Sequence, residues 1–189
     1  ARVGTTSLRR RMQLLALRPD LEIISLRGNV NSRIAKLKDG EFDAIILAMA
    51  GINRLDLSKE VNYVSVLNTI AAMGQGALGI EAVDRADILE AIEFLNDEKS
   101  VIETTIERAF VHKLNGGCQA PIGVSARLDG DKISVKAILG TPDGKEILKD
   151  ERVFNKAEYK EAGEILANEF IAKGAKELLA KAEQIASQI

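Results

Sequence analysis

The chain reads as two units of different class. An α/β unit with a mixed, mainly parallel sheet is followed by a small α+β unit, a three-stranded antiparallel sheet covered by helices. Three observations predict this. In the first 55 residues, short apolar runs alternate three times with segments of helical period, the strand-loop-helix succession that builds parallel sheets. The run 42–48 is almost continuously apolar, broken by Asp43, as expected of a strand buried on both faces. From residue 122, three strand-like runs are separated by Asp129-Gly130-Asp131 and Thr141-Pro142-Asp143-Gly144, turn sequences that join antiparallel neighbours.

Residues 1–3 form a short strand, and Gly4-Thr5-Thr6-Ser7 leaves it as a turn rich in helix N-cap types. Leu8, Met12 and Leu15 share a face at i, i+4 and i+7, which predicts a helix over 8–17 closed by Pro19. Residues 21–26 are the second strand. Its loop, Arg27-Gly28-Asn29-Val30-Asn31-Ser32-Arg33, leads into a helix over 32–38 capped by Asn31 or Ser32 and stopped at Gly40. After the 42–48 strand, a short helix over 49–55 carries Arg54. Residues 63–67 read as a weak strand, Met73-Gly74-Gln75-Gly76-Ala77 as a glycine-flanked crossing, 77–82 as extended and 88–95 as helical. The Gly-x-Gly pair lacks the third glycine and preceding strand of a dinucleotide fingerprint, so no such site is expected.

Ser100-Val101-Ile102-Glu103 reads as a capping box opening a helix over 101–114, with Val101, Thr105, Ala109 and His112 at helical spacing. Strands are predicted over 122–128, 132–139 and 146–154. Asn155-Lys156-Ala157-Glu158 is a second capping box. It opens a helix that ends near Gly174, before a last helix over 175–185.

Composition is that of an ordinary globular chain: 46% hydrophobic and 29% charged. No apolar run approaches the roughly 20 residues that cross a bilayer, and no signal peptide opens the chain, so a cytoplasmic location is expected. The chain begins at Ala1 without an initiator methionine, and a fragment is expected on that ground. The net charge of −2 is unevenly spread. Residues 1–40 hold nine basic against three acidic side chains, a net +6, which leaves −8 for the remainder. Seven of the nine are arginines, suited to planar, bidentate recognition of carboxylate or phosphate. Arg9, Arg10 and Arg11 stand in the first turn of a helix, where positive charge opposes the dipole. Either a bound anion relieves that conflict or the arginines form a solvated basic face.

The single cysteine lies in Leu114-Asn115-Gly116-Gly117-Cys118-Gln119-Ala120-Pro121, between the long helix and the first antiparallel strand. The two glycines free the backbone, and Pro121 restricts Ala120 to an extended shape, so Cys118 belongs to a shaped loop. One cysteine excludes an intramolecular disulfide. It leaves a buried packing residue, a surface residue without a role, or a nucleophile that bonds to another molecule. His112, the only histidine, has no second ligand pair beside it, and neither a metal site nor a chemical role is expected of it.

Five motifs in order resemble the porphobilinogen deaminase (hydroxymethylbilane synthase) family. They are Gly4-Thr5-Thr6-Ser7-Leu8-Arg9-Arg10, Leu26-Arg27-Gly28-Asn29-Val30-x-x-Arg33, Asp43-Ala44-Ile45-Ile46-Leu47-Ala48-x-Ala50-Gly51, Gly74-Gln75-Gly76-Ala77-x-Gly79-Ile80-Glu81 and Gly116-Gly117-Cys118-x-x-Pro121-Ile122-Gly123. The resemblance implies a periplasmic-binding-protein-like second domain over 1–72, truncated at its start. It also implies a crossover with a remnant of the first domain over 73–98, and a third domain over 99–189 that carries the cysteine. The implied activity is head-to-tail condensation of four porphobilinogen units with loss of ammonia, giving hydroxymethylbilane for heme synthesis in a cytoplasmic monomer. The implied cofactor is a dipyrromethane primer joined by a thioether to Cys118.

By the same resemblance, Arg9, Arg10, Arg27 and Arg33 hold cofactor carboxylates with help from Thr5, Ser7 and Gln75. Arg10, Arg27, Arg33 and Arg54 hold those of the substrate and of the linear pyrrole chain. The family's general acid/base aspartate belongs to the first domain, which this chain lacks, so no turnover is expected of the chain alone. A non-enzymatic alternative is a two-domain module binding a small dicarboxylate between its lobes, which leaves the glycine-flanked Cys118 unexplained. Nucleic-acid binding is disfavoured, because aromatics make up only 4% of the chain and no stacking platform flanks the arginines. No membrane partner is expected either.

Overall fold

A computed structural model describes residues 1–117 and 119–189. The first sheet has the order β2-β1-β3: β1 (Arg2–Gly4) runs parallel to both β2 (Glu22–Ile24) and β3 (Ala44–Ile45). Parallel neighbours need crossovers, which α1 (Leu8–Leu17) and α2 (Val30–Lys38) supply. Their apolar faces close on the sheet through the buried side chains Val3, Met12, Leu15, Leu26, Ile34 and Phe42. A Cβ on Gly4 would come within 2.9 Å of both Leu26 and Phe42, so those two flanking segments meet over the end of β1 only because it carries no side chain.

Two boundaries differ from expectation for one reason. Helix α2 is capped by Asn29, whose side-chain oxygen accepts from Ser32 N–H at 2.8 Å, and it begins at Val30, before Asn31 and Ser32. Helix α5 (Glu98–Lys113) is capped by Asp97, which accepts from Ser100 N–H at 2.7 Å. In each case an earlier Asx side chain reaches the free N–H groups first, and the later candidates are absorbed into the helix. Glu103, expected to complete a capping box, instead accepts the N–H of Leu128 at 2.9 Å.

The strand expected over 42–48 is shorter: only Ala44–Ile45 pair with β1, and Ala44 and Ala48 are exposed. Phe42 alone in that run is fully buried. Among the described residues β3 is the sheet edge, and a strand with one neighbour is neither held along its length nor covered on both faces. The short helix α3 (Met49–Arg54) follows as expected, and a 3-10 turn (Leu57–Glu60) that the sequence pattern does not predict comes after it. Among the described residues, 63–67 and 77–82 form no strand. Helix α4 (Ala86–Ile92) and a 3-10 turn (Glu93–Leu95) occupy the helical stretch.

The second unit follows its predicted plan. Strands β4 (Ile122–Asp129), β5 (Lys132–Gly140) and β6 (Ile147–Asn155) form an antiparallel meander in the order β4-β5-β6. The two-residue turn at Gly130-Asp131 fixes the register by pairing Asp129 with Lys132. The capping box of Asn155 and Glu158 is present. It introduces a 3-10 turn (Lys156–Glu158) that runs into α6 (Tyr159–Ala172), and α7 (Ala175–Ala186) follows the break at Gly174. Helices α5 and α6 cover one sheet face. There Ile106, Phe110, Val124, Val135, Leu139, Leu166 and Phe170 are essentially inaccessible, with the Phe110 and Phe170 rings edge to face at 5.2 Å. Among the described residues no helix is long and apolar enough to cross a membrane.

Candidate functional site

Because the three strands are parallel, their carboxyl ends lie along one edge of the sheet, and the loops leaving them carry the expected polar residues. Beyond β1, Thr5 is buried and its hydroxyl accepts from Ser7 N–H at 3.3 Å, while Ser7 caps α1. Thr6, not singled out by sequence, donates to the Leu26 carbonyl at 2.6 Å and ties this loop to the one after β2. Within that second loop, Arg33 Nε donates to the Gly28 carbonyl at 2.8 Å and closes the turn on itself. Arg10 reaches from α1 to the end of β3, donating to the Ile46 carbonyl at 3.0 Å.

The arginines fall into two groups. Arg2 pairs with Asp43 at 3.0 Å and Arg18 with Asp20 at 2.7 Å, so these two are structural. Arg10, Arg27, Arg33 and Arg54 have no carboxylate partner among the described residues. Burial draws the pKa of Arg10 below its ordinary value, and the neighbouring Arg33 guanidinium lowers it further. A half-buried guanidinium without an acid partner is an unbalanced charge, which an anion from outside would offset.

Arg9, Arg10, Gln75 and Gly76 line one cleft of about 950 Å³, walled also by residues 44–50 and 63–67. The structure therefore brings Arg9, Arg10 and Gln75 together. Arg27, Arg33 and Arg54 do not line the cleft; Arg27 is exposed in the loop after β2 and Arg54 is exposed at the end of α3. Cys118 lies outside the described residues. Arg9 Nε donates to the carbonyl of Ile122, the first residue of β4, and so ties the arginine helix to the start of the second sheet.

Residues 1–91 match the family model described as porphobilinogen deaminase, dipyromethane cofactor binding domain, and residues 101–172 match the porphobilinogen deaminase C-terminal domain. A porphobilinogen deaminase of Campylobacter fetus is 73% identical over 185 residues, covering 98% of this chain. The chain belongs to the porphobilinogen deaminase family. Relatives of the same description from Campylobacter jejuni and Campylobacter curvus are 64% identical over 188 residues and 61% identical over 190 residues, covering 98% and 99% of the chain. The chain spans about three fifths of the length of these relatives, 61% in each case.

The donor set fits the cofactor named by the family model. Dipyrromethane is a polyanion of ring carboxylates, and Arg10 and Arg33, which have no carboxylate partner among the described residues, keep guanidinium N–H groups beyond those given to the Ile46 and Gly28 carbonyls that could hold such groups. Two buried polar residues of this porphobilinogen deaminase fold escaped the sequence reading, Gln13 and Glu107, 6% and 8% exposed. Each lies on the buried face of an amphipathic helix, beside Met12 and Ile106 respectively. A polar residue on an apolar stripe was the signal that could have found them.

Proposed function

We propose that this chain is the carboxylate-holding and primer-bearing part of a porphobilinogen deaminase that condenses four porphobilinogen units into hydroxymethylbilane with release of ammonia. The observation that carries the reading is the cleft lined by Arg9, Arg10 and Gln75, in which Arg10 is half-buried and has no carboxylate partner among the described residues. A chain of pyrroles bears two carboxylates per ring, and each can take one guanidinium fork. In this reading Arg9, Arg10, Arg27 and Arg33 hold cofactor carboxylates with Thr5, Ser7 and Gln75. Arg10, Arg27, Arg33 and Arg54 hold those of incoming substrate and of the linear pyrrole chain. When bound, the dipyrromethane supplies the pyrrole carbon on which the chain grows, and Cys118 holds it by a thioether. Tethering and fixed carboxylates supply orientation, worth up to roughly 7 to 11 kcal/mol for well-aligned groups.

The reading includes a cytoplasmic, monomeric enzyme of heme synthesis divided at 1–72, 73–98 and 99–189. Turnover requires the portion of the family that this chain does not align with, where the general acid/base aspartate resides. Supporting this is an apolar surface along residues 63–94, in which Tyr63, Val66, Leu78 and Phe94 are each more than 80% exposed, enough to need a covering partner. The test is intact-protein mass on the chain extended by the portion its relatives carry. A two-pyrrole adduct should be present and should vanish in Cys118→Ser; an adduct retained by the serine variant refutes the assignment of the loop. A colour assay for pyrrole product from the 189-residue chain alone should read background. Product above background would overturn the requirement for the remaining portion.

A further inference from the structure

Among the described residues the outer edge of β4 has no neighbouring strand, yet its outward N–H groups are received. Val124 N–H goes to the Ala71 carbonyl at 3.0 Å, Ala126 N–H to Glu107 at 2.9 Å, and Leu128 N–H to Glu103 at 2.9 Å. The spacings explain how a helix can do this. Glu103 and Glu107 are one i, i+4 step apart on α5, about 6 Å of helix rise, and the outward N–H groups of a strand recur about every 6.8 Å. Two carboxylates thus serve as acceptors along the edge, and the connector between the units supplies the third.

Glu107 does more than cap the edge. Its second oxygen accepts the N–H of Gly74 at 2.6 Å, so one carboxylate joins the sheet to the turn that carries Gln75. The same connector is gripped from the other side by Gln13, whose side-chain amide donates to the Ile70 carbonyl at 2.9 Å and accepts from Ile70 N–H at 2.8 Å. Between these grips Gly123 leaves no room: a Cβ there would lie 2.8 Å from the Ile70 carbonyl oxygen. Residues 70–74 are therefore seated at four points, on α1, α5 and β4. Residues 70–74, which lead into the glycine-flanked crossing, are a held strap.

The structure assigns Glu107 and Gln13 as positioning residues that fix the connector, and with it Gln75, against the arginine-bearing helix α1. Neither touches the cleft, and both act through the backbone of the strap. A carboxylate is required at 107 because two N–H donors converge on it; glutamine offers one acceptor oxygen and would turn an NH2 group toward the second donor. The groups facing Glu107 include Glu103 on its own helix and Arg127 on β4. What the strap serves rests on the proposed pyrrole-carboxylate site, whereas the strap itself does not.

The experiment separates the two. Amide hydrogen exchange by NMR on the 189-residue chain should show Gly74 exchanging at least tenfold faster in Glu107→Gln, with the amide of Val135 in β5 unchanged. Gln13→Ala should speed Ile70 in the same selective way. Unchanged Gly74 exchange, or acceleration equal to that of Val135, overturns the assignment. Porphobilinogen binding by the same chain, measured by equilibrium dialysis, should weaken at least fivefold in Glu107→Gln. Binding equal to wild type despite a loosened Gly74 overturns the positioning role. If the wild-type chain binds no porphobilinogen, the proposed function fails, and the exchange arm still decides whether the strap is held.

Discussion

Gly144 is where the second unit bears on the arginine helix, and replacing it measures that contact. Its φ is +73°, and a Cβ would sit 2.5 Å from Ala16 N, 2.8 Å from Met12 O and 2.9 Å from the Leu15 carbonyl carbon, all backbone atoms of α1. Gly144→Ala therefore meets two penalties. The left-handed conformation costs about 1–2 kcal/mol for a residue with a side chain. Forcing a methyl against helix backbone that cannot rotate away adds about 1–3 kcal/mol of overpacking. Gly130→Ala is the control: its φ is +56°, yet nothing lies within 4 Å of the added Cβ, so only the first penalty applies. Urea unfolding should thus place Gly144→Ala about 2–5 kcal/mol below wild type and Gly130→Ala about 1–2 kcal/mol below. On heating, the difference between the two variants amounts to several degrees, at about 2–4 °C per kcal/mol for a chain of this size. Equal destabilisation by the two substitutions would refute the seating of α1 on the turn after β5, and with it the link between the arginines and the second sheet.

Phe110→Ala removes a fully buried ring from the edge-to-face pair with Phe170 and should cost about 3–5 kcal/mol, read from the urea midpoint. Arg10→Lys keeps the charge but loses the fork. It should weaken porphobilinogen binding about tenfold or more, the loss expected of one charged hydrogen bond, in the same dialysis measurement. Stability should depend on pH with two opposite signs. Asp43 and Asp150 have carboxyl pKa values lowered by hydrogen bonds from Arg2 and Lys173, and Asp20 is drawn down to about 2 by Arg18. Their stabilisation is present above the usual carboxylate range and is lost as pH falls through those lowered values. Burial raises the pKa of Glu107 above 4.5, so the folded state holds its proton longer, and stability falls as pH rises from 4.5 through the raised value. Urea midpoints across pH 3 to 8 should lose that second, downward slope in Glu107→Gln; an identical profile would contradict it.

Sequence determined whatever depends on a few neighbouring residues. The meander is legible because Gly130-Asp131 and the turn at Pro142 fix strand pairing locally, and the capping box of Asn155 and Glu158 is present as written. The strand-loop-helix order and the arginines beyond β1, β2 and β3 follow from periodicity and from the parallel sheet it implies. At both early caps the sequence pattern points to the later residue, Asn31 or Ser32 and Ser100, whereas Asn29 and Asp97 cap the helices, because the choice depends on where the preceding loop aims the chain. The tertiary structure alone decided which polar groups meet across distance. The Glu107 carboxylate has no hydrogen-bond partner among its described sequence neighbours; the edge of β4 brings it an N–H 19 residues away and the strap brings another 33 residues away. The same holds for the split between Arg2, neutralised by Asp43, and Arg10, half-buried without an acid partner among the described residues. Charge type is written in the chain, but a charge's partner is fixed by the fold, because Coulomb and hydrogen-bond energies depend on separations that only packing sets.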